Sequence, residues 1–160
     1  MAQQEIQSAI AALADTPVRI SKATENASPS SLHLRSEEEA WSVNDVIAHL
    51  RACAAVWGSS IEKMISLDHP TMRYVSPWTW IRKKTYRDLP FAANLAAFAS
   101  QRLKLLDLLR GLPADGWSRG AMFTATTRGR EQTVHSYAVR LAEHENGHCQ
   151  QIERLVELYP

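Results

Sequence analysis

A chain of 160 residues has single-domain length and can bury a core without disulfide staples. Hydrophobic residues make up 45% of it and charged ones 22%, with Gly and Pro sparse, the composition of an ordinary, mostly helical globule. The net charge is +1 and the only basic block is Ile81-Arg-Lys-Lys-Thr85, so there is no electrostatic footprint for nucleic acid and those cations read as a solvated loop or helix end.

The opening residues, Met-Ala-Gln-Gln-Glu-Ile, lack the basic and apolar regions of a signal peptide, and no run is long enough to span a bilayer. A cytoplasmic protein without a membrane partner is expected. In that compartment Cys53 and Cys149, far apart in sequence, read as free thiols rather than a disulfide.

Ile6, Ile10, Leu13, Pro17 and Ile20 keep a helical stripe from about residue 3 to about 26. Thr16-Pro17 interrupts it, which predicts either a kinked helix or two short ones in line. Asn26-Ala-Ser-Pro-Ser-Ser31 is turn-rich and leads through an acidic run, Glu37-Glu-Glu39, to Ala40-Trp41. Ser42-Val-Asn-Asp45 is a helix start, with Ser42 as N-cap, Asp45 in the first turn and Trp41 packing back as a staple.

The second helix runs to about Leu67, with Val43, Val46, Leu50, Cys53, Trp57, Ile61 and Met64 on one stripe. His49 falls at the edge of that stripe, where its plain reading is a boundary residue half in water. From Asp68 to Asp88 a connection of about twenty residues is too long for a simple hairpin, so it crosses the bundle end or carries a short helix of its own. The third helix starts near Asp88-Leu-Pro90, carries Phe91, Leu95, Phe98, Arg102, Leu105, Leu106 and Leu109, and ends at Gly111. Leu112 to Trp117 reads as a turn or one helical turn, and Phe123 to Arg130 as a Thr-rich loop with room for a short hairpin at most. Thr133 caps the fourth helix. Four amphipathic segments without convincing strand alternation predict an all-α fold of one domain, residues 1–160, built as a four-helix bundle.

The fourth helix carries the chemistry. Val134, Tyr137, Leu141, Ile152, Leu155 and Tyr159 form its apolar stripe, and His144 and His148, four residues apart on one face, fill the two gaps in it. Two inward imidazoles are either core histidines hydrogen-bonded to a neighbouring helix or ligands of a metal ion, since neutral imidazole suits zinc, nickel, copper and non-haem iron. In a bundle His49 can join them. Three histidines with open coordination positions leave room for substrate chemistry; Cys53, one turn after His49, could instead close a His3Cys site with a purely structural ion. Because Cys53 also fits the apolar stripe, the open three-histidine set is the preferred reading.

Ala40-Trp-Ser-Val-Asn-Asp-Val-Ile-Ala-His49-Leu resembles the "W-S-v-x-e-v-x-x-H-L" signature of the DinB-like metalloenzyme superfamily. Ala142-Glu-His144-Glu-Asn-Gly-His148-Cys-Gln-Gln151-Ile152 resembles its "H-x-x-x-H-x-x-Q-I" signature, and Leu95 to Leu109 with Pro113-Ala-Asp-Gly-Trp117 is similar to the third helix and following turn. The resemblance runs from about Leu13 to Val156. It implies a four-helix bundle in up-down-down-up order with long connections between helices two and three and between three and four. It also implies frequent dimers and a divalent metal held by His49, His144 and His148. The loop Phe123-Thr-Ala-Thr-Thr-Arg128-Gly-Arg130 departs from the closest subgroup, many of whose members carry a His before a Gly-containing turn there. In the family that loop faces the site, so a relative's substrate does not transfer.

The expected function is that of a metal-dependent enzyme of the thiol S-transferase type, in which the metal lowers the pKa of a low-molecular-weight thiol that adds to a small electrophile. Zinc or nickel is expected ahead of iron or manganese. The alternatives are a metal-dependent hydrolase, with Asp45 or Glu145 as base, and a non-catalytic metal-stabilised module. Trp78 and Trp80, clustered on the long connection, suggest a homodimer surface unless that connection folds back and buries both rings in its own chain.

Overall fold

The computed structural model describes residues 2–35, 37–38, 40–126 and 130–160. Of the segments named above, Glu39 and residues 127–129, with Arg128, lie outside the described residues. The described residues hold five α-helices: α1 (Ala2–Thr24), α2 (Val43–Ser66), α3 (Pro77–Lys84), α4 (Phe91–Arg110) and α5 (Val134–Leu158). Three short strands, β1 (Thr71–Arg73), β2 (Gly120–Thr124) and β3 (Glu131–Thr133), sit on the connections. No helix among the described residues is long and apolar enough to cross a membrane.

The helix starts are those the local chemistry dictates. Ser42 and Asp45 form a reciprocal capping box at α2, and Thr133 and Ser136 form one at α5, each satisfying N–H groups that the first turn leaves open. α1 is continuous through Pro17 rather than broken there. Thr16 does not start a second helix: its hydroxyl donates back to the carbonyl of Ala12 at 3.0 Å. That bond and the burial of Leu13 and Ile20 on either side hold the helix together across the missing proline N–H.

α1, α2, α4 and α5 make the bundle, with α1 packed on α5 and α4, and α2 packed on α4 and α5. Directions follow from contacts at the two ends. β1 pairs in parallel with β2, and β2 pairs antiparallel with β3, so the ends of α2 and α4 and the start of α5 share one end of the bundle. His135 faces Glu5 there, while Arg19 pairs with Glu153 near the other end, so α1 runs parallel to α5. The order is up-down-down-up, the four-helix arrangement that the resemblance implies.

The short hairpin allowed at Phe123 to Arg130 is present as β2 and β3, and β1 with its parallel pairing is what pattern reading misses. The strands are three to five residues long and pair across the chain, Thr71 with Met122 and Ala121 with Gln132, so no local alternation announces them. Gly120 is required at the close approach of β2 to β3, where a Cβ would stand 2.6 Å from the Gln132 carbonyl oxygen. The long connection both crosses the end, as β1, and carries its own helix, α3.

The core is in two apolar halves. Leu13, Ile61, Met64, Leu109 and Leu141 fill the half nearer the sheet, and Ile20, Val46, Leu50, Phe98, Ile152 and Leu155 fill the other. Between them each helix supplies polar groups at the same level: Thr16 from α1, Arg102 from α4, Glu145 with its histidine neighbours from α5, and His49 from α2. Arg102 and Glu145, 1% and 0% exposed in their side chains, form an ion pair inside this layer.

Candidate metal centre

His49 projects from the second turn of α2 and His144 and His148 from the middle of α5, where these antiparallel helices pack. His49 is buried rather than half in water, because Trp41 and Trp78 cover it at ring separations of 5.2 and 5.5 Å. The Nε2 atoms converge on His144: that of His49 is 3.2 Å away and that of His148 is 3.1 Å away. Cys53 Sγ stands 3.5 Å from His49 Nε2, and His49, Cys53 and His144 together have ligand atoms all within 4.8 Å of one another.

The donor set fits a divalent ion. One ring nitrogen offers a single proton or a single lone pair along one direction, so His144 Nε2 cannot satisfy both neighbours by hydrogen bonding. Ligands at about 2.0 Å from a tetrahedral ion stand about 3.3 Å apart, close to the separations seen here. His144 Nδ1 is buried without a hydrogen-bond partner among the described residues. The His148 ring, by contrast, is fixed from outside: its Nδ1 lies 2.9 Å from Gln151 Oε1.

Electrostatics keep the imidazoles in the ligand form. Burial, reinforced by the neighbouring His148 and His144, pushes His49 down to about 3. Burial and then His148 push His144 down to about 4, and burial lowers His148 against the opposing effect of Gln151. All three are neutral at neutral pH. Burial, with the Glu145 charge behind it, pushes the Cys53 thiol of the metal-free protein up to about 12. Both cysteines are free and buried.

Three tryptophans wall the cluster. Trp41 lies parallel to His148 at 6.2 Å and meets Trp78 edge-on at 4.9 Å, and Trp57 lies against His144 at 5.1 Å. Trp78 comes from α3, so the long connection folds back onto the site, although its ring stays 39% exposed. Trp80 is half-buried beside Ala48, Ala52, Ile81 and Tyr86. The roles of Trp57, Trp78 and Gln151 escape sequence reading, although Gln151 stands in the quoted motif three residues after His148.

Neither carboxylate expected as a base is free to act. Asp45 accepts from Arg35 at 2.6 and 2.9 Å, from Arg87 at 2.7 Å and from the Ser42 N–H at 2.9 Å. Burial alone would raise its pKa, but these bonds outweigh it and hold the carboxyl well below the usual range. Glu145 is buried against Arg102 and pushed up to about 7 by that burial, with the Arg102 charge opposing. Its Oε2, and Nε and Nη1 of Arg102, have no hydrogen-bond partner among the described residues.

The family model of the DinB superfamily matches residues 12–152, a span that holds Trp41, His49, His144 and His148. The chain belongs to the DinB superfamily. Its DinB-type bundle superposes on YfiT from Bacillus subtilis, described as a probable metal-dependent hydrolase with an unusual four-helix bundle topology, with a TM-score of 0.81. Identity to YfiT is 20%, and the match covers 94% of this chain and 85% of that one, so the likeness establishes the four-helix-bundle fold. No curated protein matches the chain.

Proposed function

We propose that His49, His144 and His148 hold one divalent metal ion, zinc or nickel ahead of iron or manganese, and that the protein is an enzyme of the thiol S-transferase type. The observation that carries the metal reading is the convergence of three neutral Nε2 atoms at 3.1 to 3.2 Å with no acceptor chemistry among themselves that satisfies all three. When bound, such an ion supplies Lewis acidity that brings a thiol to its thiolate near neutral pH. The chain's own contribution is positional. Gln151 fixes the His148 tautomer, Trp41 and Trp57 hold the rings in place, and Trp78 keeps water off one side of His49.

The transferase reading needs no separate base, and both candidate bases, Asp45 and Glu145, stand in ion pairs. The description of YfiT supports the second reading, metal-dependent hydrolysis. Two assays on reconstituted protein separate the two. Metal-dependent consumption of a low-molecular-weight thiol with a bimane or dinitrophenyl electrophile is the expected result. Metal-dependent cleavage of nitrophenyl esters without thiol would select the hydrolase, and failure of zinc, nickel, iron and manganese each to reach about one ion per chain would remove both readings.

A further inference from the structure

A cavity of about 640 Å³ opens between the C-terminal half of α2, β1 and the start of α5, within the size range of small-molecule sites. Its inner walls are flat. Phe123 and Tyr137 stack at 5.3 Å with planes 16° apart, and Trp57 adjoins Tyr137 at 6.3 Å. Lys63 and Arg73 stand exposed on the lining, neither with a carboxylate partner among the described residues, and none of the lining residues is acidic. Trp80, also on the wall, carries an indole N–H without an acceptor among the described residues.

We propose that this cavity is the substrate pocket of the metal centre and takes an organic anion with a flat apolar body, an aromatic carboxylate. The inference rests on the metal reading above. Aromatic faces favour a flat apolar body, and two uncompensated cations at the exposed rim of the cleft favour a negative end. The position of the pocket links it to the histidines. The Trp57 ring that forms its wall also lies on His144, and Tyr137 precedes His144 by two helical turns, about 10 Å along the axis. Lys63 lies farther along α2, away from His49. The carboxylate is therefore anchored at the far end, and the reactive group of the substrate is at its apolar end, toward Trp57.

Calorimetry with 2-naphthoate and its neutral carboxamide, on metal-loaded and metal-stripped protein, tests this. The acid binds about tenfold or more tightly than the amide at low salt, and the preference shrinks as salt is raised. The K63Q/R73Q double variant, altered only at exposed positions, brings the acid down to the amide's affinity and leaves amide binding and metal content unchanged. With cobalt loaded, proton relaxation of bound naphthoate is enhanced most at the ring edge remote from the carboxylate. Equal affinities for acid and amide, a preference that survives the double variant, or the reverse relaxation gradient overturns the proposal. The acid binding to protein that takes up no metal would leave the anion site standing and fell the metal reading instead.

Discussion

His148 Nδ1 donates to Oε1 of Gln151, three residues on along α5, across 2.9 Å. An amide oxygen only accepts, so the proton sits on Nδ1 and the lone pair of His148 is left on Nε2, facing His144. Replacing Gln151 by Leu removes the acceptor and frees the ring. Metal affinity then falls by about 10- to 100-fold, read by competition with a chromophoric chelator, whereas Gln151→Glu keeps the affinity near wild type.

Metal should stabilise the fold by mass action. At a free concentration about 100 times the dissociation constant the gain is about 2.7 kcal/mol, so the melting temperature climbs with the logarithm of added metal. Stripping with a chelator reverses it. His49→Ala and the His144→Ala, His148→Ala pair should melt at one temperature whatever metal is supplied; a metal-dependent rise in those variants would place the ion elsewhere.

Cys53 sits 3.5 Å from His49 Nε2 and also lies buried on the apolar stripe of α2. Cys53→Ala and Cys53→Ser are expected to leave metal stoichiometry intact, and the cobalt-loaded wild type to lack a thiolate charge-transfer band. A band that disappears in Cys53→Ala would mean a closed site and would undo the transferase reading.

Asp45 makes stability acid-sensitive. Its folded pKa lies below the ordinary carboxylate value of about 3.9, so its contribution is present above that value and is lost as pH falls through the folded one. Asp45→Asn should cost about 2 kcal/mol at pH 7, a figure reduced for the solvent exposure of Arg35 and Arg87. Urea midpoints of wild type and variant should begin to draw together as pH falls below about 4, where the unfolded carboxylate takes up its proton, and should meet only at the lower pH where the folded one does.

Glu145 and Arg102 lie in the polar layer that divides the core, each fully buried. Glu145→Gln strands the guanidinium and should destabilise by about 3 to 5 kcal/mol. The double variant Arg102→Met, Glu145→Leu removes both charges and should be clearly more stable than either single change, as thermal melts of the three would register. A loss in the double variant equal to the sum of the two single losses would show that the pair is not coupled.

Much of this was legible because it is locally encoded. The four bundle helices, the Ser42 and Thr133 caps and the facing of His144 and His148 follow from a 3.6-residue period and from capping chemistry that acts within one turn. The parts that escaped are those fixed by distant partners. Arg102 stands out on an apolar stripe, but only the packing of α4 against the rest of the bundle supplies Glu145, and the same is true of Trp78 on His49. The reading of His49 as half-solvated failed for that reason: Trp78 of α3 joins Trp41 in covering it, beyond the reach of α2's own pattern. Of the two readings of Thr16-Pro17, a kinked helix or two short ones in line, the second is excluded, because α1 runs through Pro17 with Leu13 and Ile20 buried on either side.

The pairing of β1 with β2 joins two segments that follow parallel helices and are separated by α3 and α4. Such a pairing closes a long loop for a few backbone bonds, so during refolding it forms only after α4 has docked on α2. The histidine helices can thus assemble before the aromatic cavity has a floor, and the two should exchange amide protons at different rates. Pulse labelling would find the amides of Thr71–Arg73 and Gly120–Thr124 protected last and, in the native state, opening first, a unit whose order is gained and lost separately from the bundle.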